Sequence, residues 1–140
     1  MTTVELPFVN LAKYAGGMSL QIIDVTVWEA ISKADSTGSA TVQSDPIAPD
    51  EFWLAQRLVI DSSSLFIARV DCYEGTSTAG LYRRDWSPIP YRYPLVRPYV
   101  PSVLYRSSTQ ITAVISGAAQ GDVFQLSLTY AKVKKVLHPR

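Results

Sequence analysis

The chain has one cysteine, Cys72, and one histidine, His138, among 140 residues. A lone cysteine cannot close an intrachain disulfide, so the fold must hold by burial and not by covalent staples. A zinc site needs three or four His, Cys or carboxylate ligands, and none is expected here. Nucleophilic catalysis by a Ser–His or Cys–His pair would have to use His138. That residue is third from the C-terminus, beside Pro139 in a basic tail, whereas a general base has to be held within hydrogen-bonding reach of its partner. Phosphate-cradling glycine motifs are missing as well, since neither G-x-G-x-x-G nor a Walker loop occurs. The longest charge-free run, Ser107–Gly121, has 15 residues and is rich in Ser, Thr, Gln and Gly; a spanning helix needs about 20 mostly apolar ones. Charge is scarce and balanced, 13 Lys and Arg against 12 Asp and Glu, so the net is only +1. No general attraction to nucleic acid or to an anionic membrane follows from that balance. Met1–Pro7 carries an acid and a proline and no basic leader, so it does not read as a signal peptide, and cytoplasmic synthesis is expected. No cofactor and no enzymatic activity are expected. The nearest approach to chemistry is a set of acids at turns or strand ends, Asp45, Asp50, Glu51, Asp61 and Asp122. They could converge as a carboxylate pair or a calcium site, but Asp in a turn more simply bonds its own backbone.

Apolar residues make up 47% of the chain, enough for a single domain of this length to bury about two-thirds of its unfolded surface. The pattern is one of short strands. Residues 1–19 read as an extended N-terminal arm: Leu6, Phe8, Val9 and Leu11 are apolar, but Pro7 and Gly16-Gly17 break any regular element. Residues 20–140 form the domain. Leu20–Trp28 is rich in Val, Ile, Thr and Trp and predicts a strand, with a short helix as its rival. Ser32–Glu51 is a polar connection with several turn signals, in which Ala40–Gln43 could be one strand of a small hairpin. Trp53–Asp61 predicts an inner strand, with Leu54, Leu58 and Ile60 on one face and Trp53, Ala55 and Val59 on the other. After a serine turn, Leu65–Glu74 returns with Phe66, Ala68, Val70 and Cys72 on one face, which makes Cys72 a small core residue. Leu81–Trp86, Gln110–Ser116 and Val123–Tyr130 are further strands, and the last alternates strictly, Phe124, Leu126, Leu128 and Tyr130 inward. The lysines beyond Tyr130 suggest a protected edge. About eight short strands without a long helix predict an all-β antiparallel sandwich, jelly-roll-like.

Tyr82–Arg106 departs from this pattern. Its 25 residues hold five of the nine prolines, five of the eight arginines and five of the eight tyrosines, plus Trp86. Each proline removes a ladder N–H, so an extended excursion over the surface is expected in place of a central strand. Trp, Tyr and Arg are enriched at interface hot spots. The candidate partner-binding residues are therefore Arg83, Arg84, Trp86, Tyr91, Arg92, Tyr93, Arg97 and Tyr99, with Leu6 and Phe8 of the arm. Protein contact, stacking of single-stranded nucleic acid or sugar, and a loop packed on its own sheet remain open from these residues alone.

Two stretches carry a resemblance. Asp50-Glu-Phe-Trp-Leu-Ala-Gln-Arg-Leu-Val-Ile-Asp61 has a Glu-x-Trp step leading a strand. Thr109–Asp122 then carries a Gly-Ala…Gly-Asp connection into the last strand. Together they resemble small β-sandwich virion proteins of tailed bacteriophages, although Asp50-Glu51 and Ser107–Thr109 stand where that group has Pro-Gly turns. The resemblance implies a non-enzymatic virion structural protein, made in the host cytoplasm and placed in the particle. Capsid decoration that reinforces assembled shell subunits is the first reading. A tail or fibre-base module recognising host carbohydrate or another virion protein is the alternative. It further implies virion proteins as partners, either the major capsid protein or head–tail and tail components, and a homo-oligomer, with no nucleic acid or membrane partner.

Overall fold

Eight strands run in chain order as β1 (Met18–Lys33), β2 (Ala40–Gln43), β3 (Glu51–Ser62), β4 (Ala68–Glu74), β5 (Arg83–Ile89), β6 (Leu95–Tyr105), β7 (Ile111–Ser116) and β8 (Val123–Leu137). This is a computed structural model; it describes residues 18–63, 68–89 and 94–137, with side-chain placement over 21–134 of these. Every strand pairing is antiparallel, and the strands form two four-stranded sheets, β1-β8-β3-β6 and β2-β7-β4-β5. β1 pairs with β8, β2 with β7, β3 with β6, and β4 with β5. The chain is thus one long hairpin rolled up, and the roll is closed by β3 on β8 and β4 on β7. That is the jelly-roll form of the sandwich. Among the described residues the only helical element is a three-residue 3-10 turn, Gly80–Tyr82, and no helix is long and apolar enough to cross a membrane.

The core lies between the sheets. Leu58 and Ile60 of β3, Val70 and Cys72 of β4, Ile115 of β7, and Phe124, Leu126 and Leu128 of β8 are buried in one cluster. Trp53 stacks on Tyr130 at 3.9 Å between ring centres. A second cluster, Phe52, Leu54, Ala131 and Val133, lies on the opposite face of the β1-β8-β3-β6 sheet and is flanked by Ile22 and Leu104.

Four expectations need correction. β3 carries a bulge at Gln56, between Ala55 and Arg57. An inserted residue shifts the alternation by one, so Trp53 and Ala55 share the inner face with Leu58 and Ile60, while Leu54 points the other way. β2 makes no local hairpin; it joins β7 at the edge of the second sheet. The polypeptide leaves β3 in one sheet and enters β4 in the other, so the serine turn is part of a crossing between sheets. Finally, β8 is central, because β1 covers its far side along nearly its whole length, and its lysines guard no edge. Leu6, Phe8 and most of the arm lie outside the described residues, as does Phe66; Met18 and Ser19 belong to β1.

Candidate interaction site

The arginine- and proline-rich segment is not an excursion over the surface. It forms β5 and β6, the edge strands of the two sheets. Edge strands tolerate the missing N–H groups, and Pro88, Pro98 and Pro101 all sit within them. Opposite Gln56, residues 99–102 of β6 have no directly paired partner, because Ala55 pairs with Val103 and Arg57 with Pro98.

Three guanidinium–carboxylate groups organise this side. On the outer face of β4, Arg69 donates to Asp71 from Nε at 3.0 Å and from Nη2 at 2.8 Å. This bidentate pair is the geometry that best fixes a guanidinium. Asp71 lies directly across from Trp86, and the Arg69 guanidinium sits 4.6 Å from the centre of the Trp86 ring. Arg83 approaches the same carboxylate at 3.5 Å. At the seam between the sheets, Arg97 of β6 donates to Asp85 of β5 at 3.1 Å and so ties the two edges together. The hydrogen bond to Asp85 raises the Arg97 pKa above its usual range, which keeps it charged at any working pH. Further along, Glu74 accepts from Arg84 at 3.1 Å and from Arg106 at 2.6 Å.

Arg83, Arg84, Asp85, Trp86, Ser87, Pro88 and Arg97 line an open hollow of about 560 Å³. Trp86 is 50% exposed there. The structure thus brings Arg83, Arg84, Trp86 and Arg97 together around one hollow. Tyr99 is not among them. It shares the inward face of β6 with Leu95, is buried in the core, and burial pushes its phenol pKa far above the usual range. Tyr91, Arg92 and Tyr93 lie outside the described residues. Arg69 and Asp71 were missed as site residues. Their alternation on the polar face of β4 was visible, but only the β4–β5 pairing places them under Trp86. No three His, Cys, Asp or Glu side chains gather into a metal cradle among the described residues.

No protein-family model matches the chain, and no curated protein matches it in sequence. Solved structures do match in shape. A subunit of Bacillus endospore appendages, described as a family of disulfide-linked pili, aligns with 87% of this chain and 93% of its own at 12% identity, with a TM-score of 0.51. A nora virus structure aligns with 99% of this chain and 66% of its own at 9% identity and TM-score 0.39. The first carbohydrate-binding module of a xylanase from the hindgut metagenome of Trinervitermes trinervoides aligns with 80% of this chain and 99% of its own at 12% identity and TM-score 0.37. At such identities the likeness is one of fold, and only the first score is high enough to support even that.

Proposed function

We propose that this chain is a non-enzymatic structural protein of a tailed-phage virion, a decoration subunit that docks on assembled shell subunits and reinforces them. The observation that carries the reading is the rigid Arg–Trp face. Trp86 is half exposed yet held from behind by the Arg69–Asp71 pair, and Arg83, Arg84 and Arg97 surround it on two edge strands. A pre-organised aromatic anchor ringed by guanidiniums suits a partner that presents an apolar side chain beside carboxylates. The jelly roll behind it supplies stiffness and needs no catalytic group.

The test is attachment to purified particles by Trp86→Ala and by a Trp86→Ala, Arg97→Ala double variant, each checked for fold by circular dichroism. The single variant leaves the Arg97–Asp85 tie intact. We expect attachment to weaken at least about tenfold in both, as for the loss of a hot-spot anchor. Folded variants that bind particles like wild type would remove this face from the contact. Binding of the wild-type protein to host wall polysaccharide, with no affinity for the shell, would favour a tail recognition module instead.

A further inference from the structure

The two long sides of the sandwich are finished differently. On one side, β5 and β6 carry Pro88, Pro98 and Pro101 together with paired arginines. Prolines and charges are the usual protection of a sheet edge. On the other side β2 has four residues, whereas β1 has 16 and no strand lies beyond it among the described residues. β1 has a bulge at Ile23, between Ile22 and Asp24, and beyond it the outward row is Val25, Val27, Glu29 and Ile31. Its three apolar members, Val25, Val27 and Ile31, are 54, 47 and 70% exposed in that order. The only lysine in the strand, Lys33, is its last residue. A long edge strand with an apolar outer row is a template for another strand.

We propose that β1 pairs antiparallel with β1 of a second copy across a two-fold axis, joining the two β1-β8-β3-β6 sheets into one of eight strands. Cross-strand partners lie on the same sheet face, so a two-fold axis normal to the sheet sets the apolar row of one copy beside that of the other. Head-to-tail pairing is disfavoured. The β5 and β6 edges of a neighbour present prolines without N–H groups, and β2 is too short to match β1. A closed two-fold contact remains. The near-zero net charge sets up little repulsion between copies. Glu29 restricts the register, since an axis through it would oppose two carboxylates. A paired stretch of about ten residues, roughly 33 Å long and flanked by side chains on both faces, buries on the order of 1,000 Å² in total. That is the lower end for a specific interface.

This contact is independent of the Trp86 face, so the test uses the isolated protein without particles. Sedimentation velocity over about 1–100 µM, the range in which such an interface associates, should give the mass of a dimer. A Val25→Lys, Val27→Lys variant should halve that mass, while Val96→Lys, an exposed apolar position on β6, should leave it unchanged. All three positions are exposed, so the core is not disturbed, and circular dichroism checks this. Amide exchange in β1 of the wild type should slow as concentration rises. A wild-type monomer throughout, or a dimer that survives the double substitution, would overturn the proposal. A wild-type monomer whose particle attachment is lost in the β1 variant would overturn it too, and would assign the edge to a strand of a shell subunit.

Discussion

Glu74 holds the two sheets together by charge where they are not in direct strand contact. Its side chain is nearly inaccessible, yet it accepts the backbone N–H of Arg106 at 2.9 Å and the guanidiniums of Arg106 and Arg84. Burial alone pushes its pKa up. The side-chain and backbone hydrogen bonds from Arg106, with Arg84 behind them, outweigh burial and hold the carboxyl below the usual range. A carboxyl whose pKa is lower in the folded than in the unfolded state stabilises fully above the unfolded value, about 4.3 for Glu. That stability is lost as pH falls through the folded value. Glu74→Gln should therefore lower unfolding free energy at pH 7 by about 1–3 kcal/mol, the range for a buried hydrogen-bond network that loses its charge and one of two acceptor oxygens. The difference should shrink towards pH 3, and urea unfolding at the two pH values measures it. Cys72 shows the opposite balance. Burial, with the nearby charges of Asp85 and Asp71, pushes its thiol up to about 12, as suits a side chain packed in the core.

At the scale of elements, the connection from β1 to β2 is a docked turn. Asp35 accepts from the backbone and hydroxyl of Thr37 and from the Ser39 N–H. Gly38 lies at φ +76°, and its carbonyl accepts the N–H of Ala118 in the β7–β8 loop. A Cβ at Gly38 would overlap the Ala118 carbonyl oxygen, whereas one at Gly75, φ +92°, would meet nothing. Gly75→Ala should cost about 1–2 kcal/mol, the penalty of the left-handed backbone alone. Gly38→Ala should cost clearly more, since the loop must also move; denaturant unfolding of the two variants side by side checks the order. Most strands were legible in the sequence, because β8 alternates strictly as far as Tyr130 and β4 shows one clean apolar face. What could not be read was non-local. The bulge at Gln56 reverses the parity of β3 without any glycine or proline to announce it. The prolines of β5 and β6 suggested a loop, since nothing local says that a strand will lie at an edge. The lysines of β8 suggested an edge, since nothing local says that β1 will cover them. At the candidate site, composition pointed to Trp86, Arg83, Arg84 and Arg97. Arg69 and Asp71 arrive only through the pairing of β4 with β5, and the inward turn of Tyr99 depends on the register of β6.

At the scale of the whole molecule, the sandwich has two unlike sides, and they should respond differently to salt. The β5–β6 side is built from guanidiniums already engaged with Asp71, Asp85 and Glu74. Five of them, Arg69, Arg83, Arg84, Arg97 and Arg106, stand against these three carboxylates, so the face keeps a positive excess. Contacts that it makes to carboxylates of a partner are partly exposed, hence screened within a Debye length of about 8 Å at physiological ionic strength. Burial of the Trp86 ring is not screened. The β1 side offers Ile23, Val25, Val27 and Ile31 together with backbone groups, and its stabilisation is mainly apolar burial and ladder hydrogen bonds. Raising NaCl from about 0.05 to 0.5 M, which shortens the Debye length from above 10 Å to below 5 Å, should weaken particle attachment several-fold without abolishing it. The same change should leave the dimer dissociation constant within about twofold, because neither apolar burial nor ladder bonding depends on screened charge. Sulfate, which strengthens apolar burial, should tighten the dimer while still loosening attachment. Titrations of the isolated protein by sedimentation and of particles by co-pelleting, run in the same three buffers, separate the two. If attachment and dimerisation follow one common salt curve, both contacts lie on the same side and the division into a charged and an apolar side fails.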